Sequence, residues 1–75
     1  MTEHTVRSFS ADLEDLSGDL ARMGGIAEDM LSDAIQAIAT RDLALADTVV
    51  ARDPQIDNLQ VEAEKKILRL LALRQ

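Results

Sequence analysis

Apolar residues recur at Val6, Phe9, Leu13, Leu16, Leu20, Met23, Ala27, Met30, Ala34 and Ala37, an unbroken alternation of three and four steps over about four heptads. Only an α-helix puts such a series on one face, and a seam this long predicts a helix that runs to Ala39 or Thr40. Ile26, Leu31, Ile35 and Ile38 widen the stripe in its second half, so the helix is expected to touch more than one neighbour there. Ser8 or Ser10 is the expected N-cap, with residues 1–8 a flexible terminus ahead of a helical domain spanning 9–75. Gly24 and Gly25 interrupt the seam without shifting its phase. Two glycines cost roughly 2 kcal/mol against alanine in a helix interior. The pattern therefore predicts one continuous helix in which a neighbouring backbone approaches closely or a slight kink forms, with a hinge as the functional alternative.

Past the first seam, Asp42 precedes Leu43-Ala44-Leu45-Ala46 and is a plausible N-cap for a short helix ending near Arg52. Asp53-Pro54 then signals a restart, since proline lacks a donor inside a helix but suits the first helical position after a capping aspartate. The last segment is expected to run from Pro54 to the end, with Ile56, Leu59, Ala63, Ile67, Leu70 and Leu71 inward and Val61, Leu68 and Leu73 elsewhere. From Ile67 onward it is apolar nearly all round, more than one facing helix can cover.

The chain has 75 residues, no cysteine, and Phe9 as its single aromatic residue. A lone core of this size supplies only roughly 3–5 kcal/mol. With no disulfide to add to that, association with partners is expected, most simply as a homodimer. The net charge is -6, which argues against nucleic acid because phosphate contact needs a Lys/Arg footprint. All 14 acids lie in residues 1–64, while Lys65, Lys66, Arg69 and Arg74 close the chain; the basic end matches the negative pole of a helix dipole better than it suggests a binding patch. Residues 1–8 contain no apolar run, so neither a signal peptide nor a membrane span is expected, and the lack of cysteine fits a reducing, cytoplasmic setting. His4, the only imidazole, is not read as a ligand. With no Cys, Tyr or Trp, no phosphate loop and no histidine beside an acid on a stable element, the chain is not expected to be an enzyme.

Asp53 and Asp57 are four apart, which places both carboxylates on one helix face within joint reach of a cation. Asp15/Asp19 and Asp29/Asp33 share the spacing, so it is weak by itself. Capping by Asp53 and a first-turn dipole contact by Asp57 account for the pair without any metal.

Three stretches carry a resemblance to a known family: Met23-Gly24-Gly25 followed by Glu28 and Leu31-Ser32-Asp33-Ala34-Ile35; Arg52-Asp53 through Ile56-Asp57; and Leu71-Ala72-Leu73-Arg74-Gln75. In that order and spacing, residues 6–75 resemble the first repeat of the PhoU family of phosphate-signalling regulators. The resemblance implies an all-α fold: a long helical hairpin from a three-helix bundle, here lacking its third helix and completed by oligomerisation. It also implies a cytoplasmic negative regulator of phosphate uptake and phosphate-responsive signalling, acting by contact with a phosphate ABC transporter and a sensor histidine kinase. Some members bind iron or zinc clusters through acidic E/D-x-x-x-D motifs. Asp53 and Asp57 match the first such motif, as half of a metal site. Pro54 inside it departs from the pattern, and the family's Arg-Gln is ordinarily followed by Pro and a third helix, so the chain is expected to be an N-terminal fragment or truncated product. The competing reading is a self-contained helical oligomerisation module with no ligand.

Overall fold

The computed structural model describes the backbone of residues 2–74 and the side chains of residues 8–73. It is all-α: α1 (Thr2–Thr40) and α2 (Leu43–Arg74) form an antiparallel hairpin measuring 59 × 15 × 13 Å.

The connection is only Arg41-Asp42, and its geometry follows from the unpaired groups at two helix ends. Arg41 adopts the left-handed conformation, φ 56°, so its amide reaches the Ile38 carbonyl at 3.4 Å and the Asp42 amide reaches Ala37 O at 2.9 Å. These two bonds close α1 in a Schellman motif. Asp42 then turns from closing one helix to opening the next: its Oδ1 accepts the Leu45 amide at 3.0 Å, the expected N-cap. The end of α1 at Thr40 is likewise as the seam predicts.

Other expectations are corrected. α1 starts at Thr2, so Ser8 and Ser10 lie inside it and cap nothing; the side chain of His4 lies outside the described residues. α2 runs without a break through Pro54, so Asp53 is interior rather than a cap and the short helix ending near Arg52 does not exist. The carbonyl that Pro54 leaves without a donor belongs to Val50, which is 71% exposed and can bond to water instead. On both sides of Pro54, inward-facing residues of one continuous seam hold α2 to α1. Around Gly24 and Gly25 no other segment approaches, for a Cβ at either would meet nothing within 4 Å.

The seam itself is displaced from the apolar one. On α1 the buried and half-buried residues are Phe9, Asp12, Leu16, Asp19, Met23, Ile26, Met30, Asp33 and Ala37, with Ala34 beside them. Positions 12, 19, 26 and 33 thus take the places expected for 13, 20, 27 and 34, a turn of α1 by roughly 50° about its axis. On α2 the matching series is Leu45, Val49, Arg52, Ile56, Leu59, Ala63, Lys66 and Leu70, while Ile67 and Leu71, expected inward, are 40% and 56% exposed. Leu16, Ala63 and Leu70 make the core, with Phe9 and Met23 packed against it. Charged residues on both seams explain the rotation: it brings the α1 aspartates to the α2 cations.

Candidate interaction face

Each seam divides its helix into two flanks, and the hairpin uses them differently. On one side, α1 presents Asp12, Asp15, Asp19 and Asp33, and α2 answers with Arg69, Lys66 and Arg52. Arg69 Nη2 lies 3.1 Å from Asp12 Oδ1, and Arg52 Nη1 lies 2.7 Å from Asp33 Oδ2. Lys66 Nζ donates to two carboxylates at once, Asp15 at 2.7 Å and Asp19 at 2.5 Å. Asp19 is only 6% exposed, so its charge is tolerable only because Lys66 faces it. The bond from Lys66 holds Asp15 below the ordinary carboxylate value, with burial opposing. Conversely, the hydrogen bonds to Asp15 and then Asp19 raise Lys66 above its ordinary value, again against burial. This flank is sealed by a ladder of ion pairs.

The other flank is open. At the turn, Ala34, Ala37, Ile38, Leu43, Ala46 and Val50 help line a cleft of about 650 Å³. At the far end, Phe9, Leu13, Leu16, Ile67, Leu70 and Leu71 line a smaller one of about 180 Å³. Ala34 and Leu13 are three heptads apart, as are Ala46 and Ile67, and Val50 and Leu71. In a pair whose seams follow a heptad register, residues three heptads apart share a side, so both clefts open on the same face.

Between the clefts, the α2 row from Ala46 and Val50 to Ile67 and Leu71 passes through Asp53, Asp57, Gln60 and Glu64. The two carboxylates singled out by sequence therefore sit on the open face, and both are exposed. Among the described residues no group of three or more His, Cys, Asp or Glu side chains is arranged to hold a metal ion. Two carboxylates leave most of a coordination sphere unfilled, so the chain alone does not fit a resident iron or zinc cluster.

The basic end expected to complement a dipole has a more specific task, because Lys66 and Arg69 are bonded to α1. The signal for the ladder was present in the sequence: Asp12, Asp19 and Asp33 fall in one heptad position, and Arg52 and Lys66 in another. A search restricted to apolar residues passes over it. Among the described residues no helix is long and apolar enough to cross a membrane.

Comparison with known proteins agrees with the residues that carry the resemblance. The PhoU domain model matches residues 20–75. A phosphate-specific transport system accessory protein PhoU homolog of Caulobacter vibrioides (strain NA1000 / CB15N) is 55% identical over 75 residues, covering 100% of this chain and 33% of that protein. The like-named protein of Clostridium acetobutylicum is 38% identical over 71 residues, 95% of this chain and 32% of its own length. For the accessory protein PhoU of Escherichia coli (strain K12) the identity is 33% over 75 residues, 100% of this chain and 31% of that protein. The chain thus spans about a third of the length of these relatives, which are named as accessory proteins rather than enzymes. No solved structure matches it. With two long helices closed by a tight turn and a family match over most of its length, the chain belongs to the PhoU domain family.

Proposed function

We propose that this chain is the first helical hairpin of a PhoU-like negative regulator of phosphate uptake and phosphate-responsive signalling, acting in the cytoplasm by contact with a phosphate ABC transporter and a sensor histidine kinase. The relatives' names supply the transport system. The observation that carries the mechanism is the open face: a two-helix unit with one flank sealed by ion pairs and the other apolar is built to receive another helix, not to transform a substrate. Asp53 and Asp57 lie on that face, where a further acidic helix would bring the additional donors that iron or zinc needs. The chain by itself is expected to bind either metal weakly. With a third helix restored, calorimetry should show tight binding that Asp53→Asn/Asp57→Asn abolishes; equal binding by both forms would reduce the two carboxylates to solvated surface.

The regulatory reading is tested by expressing the chain fused to the segment that follows the matched region in a relative, in a bacterium deleted for its own PhoU-named protein, with phosphate uptake and a phosphate-repressed reporter as readouts. Restored repression is expected. Stable accumulation of folded protein with no change in either readout would contradict it. The second reading, an oligomerisation module with no ligand, is favoured by the large exposed apolar side chains such as Leu31, Ile38 and Leu43. It predicts self-association without any effect on phosphate uptake.

A further inference from the structure

The seam that joins the helices is one of two that α1 carries. Both contain Phe9, Leu16, Met23, Met30 and Ala37; the seam in use adds Asp12, Asp19, Ile26 and Asp33, whereas the other adds Leu13, Leu20, Ala27 and Ala34, each one residue further on. We propose that α1 is a two-position rotor. While Lys66 is bonded to Asp15 and Asp19 it holds the seam seen here, and when that cation is lost it turns by roughly 50° about the shared row, carrying Asp19 out to water and Leu13, Leu20 and Ala34 toward α2. The ion-pair ladder thereby decides whether the open face is presented or folded away.

Four observations carry it. The first is what the present seam buries: Asp19 is inside while Leu13 and Leu20, the next residues after Asp12 and Asp19, are 46% and 51% exposed. Apolar burial opposes that arrangement, and the ion pairs reverse it. The second is room to turn. The cleft at the turn has Ala34 and Ile38 on its α1 wall and Ala46 and Val50 on its α2 wall, and the far cleft has Leu13 on one wall and Ile67 and Leu71 on the other, so rotation of α1 drives its outer row into both. Third, the pivot is adaptable: Met23 and Met30 lie half-buried in the shared row, and unbranched thioethers refill a seam of altered shape at little cost. Around Gly24 and Gly25 no neighbour stands in the way, since even a Cβ there would meet nothing within 4 Å. Fourth, the hold is concentrated at one cation. The side chains of Lys66 and Asp19 are the most enclosed of the ladder, whereas Arg69 is more than half exposed in its pair with Asp12, and exposed pairs contribute little. Ile26 for Ala27 is the one exchange in which the present seam is the more apolar.

The test reads two adjacent residues that must move in opposite senses. Ile26 is half-buried and Ala27 exposed, and the chain has no native cysteine, so each can carry a lone thiol in turn. At concentrations too low for association, alkylation of Ala27→Cys should be about tenfold faster than that of Ile26→Cys, because access sets the rate. Lys66→Met strands the Asp19 carboxylate and should invert that order. Asp19→Leu added to Lys66→Met removes the buried charge and should restore it. An order unchanged by Lys66→Met, both rates rising together as in local unfolding, or an inverted order that persists in the double variant overturns the rotor. Should Lys66→Met lose its helical circular dichroism, Asp19→Asn decides instead, since it weakens the hold while Lys66 keeps Asp15: a fall of at least threefold in the ratio of the two rates supports the rotation, and an unchanged ratio overturns it. The rotation rests on the packing of the hairpin alone, so its failure leaves the cellular test of the regulator reading intact.

Discussion

Lys66 neutralises two α1 carboxylates at once, and one of them, Asp19, has almost no access to water. Removing only the cation strands that carboxylate, whereas removing both charges does not. Lys66→Met should therefore lower the urea midpoint more than Asp19→Leu/Lys66→Met does, and a double variant less stable than the single one would show that the pair itself stabilises. The same residues set the pH response. Asp15 is held below its ordinary 3.8, so the stability it contributes is complete above that value and is lost as pH falls through the lower folded value. Lys66 is raised above 10.5, so its contribution is complete below 10.5 and is lost only as pH rises past the higher folded value. Thermal melts across pH should show a plateau between these limits. Asp15→Asn should flatten the acid limb; an acid limb unchanged in that variant would remove Asp15 from the account.

At the scale of the elements, the hairpin was legible and its punctuation only in part. The end of α1 and the Asp42 cap follow from local chemistry, because a helix terminus must satisfy its own amides and carbonyls and a short aspartate does so directly. Pro54 misleads for the opposite reason: its local preference for a helix start is overridden by a seam that continues from Val49 through Ile56 to Leu70. The proline remains a burden on α2, so Pro54→Ala should stabilise the chain by up to roughly 3 kcal/mol in urea titrations. No gain would mean that α2 is not helical across that point. Asp53→Ala, by contrast, should cost little, since Asp53 caps nothing.

For the whole molecule, the fold class and family were readable from the long apolar series and three short motifs, while the orientation of α1 was not. An apolar stripe wider than one neighbour can cover allows several rotations, and the choice among them was made by Asp19 with Lys66 and Asp33 with Arg52. That rotation leaves one flank sealed and the other apolar, which is why the candidate face includes Leu20, Leu31 and Ile38 as well as the acidic residues Asp53 and Asp57. The central claim is that this open face drives association. Sedimentation equilibrium of the purified chain at micromolar concentration tests it most directly: the account predicts a helical dimer that Leu31→Glu converts to monomer, and a well-folded monomer in the unsubstituted chain would contradict it.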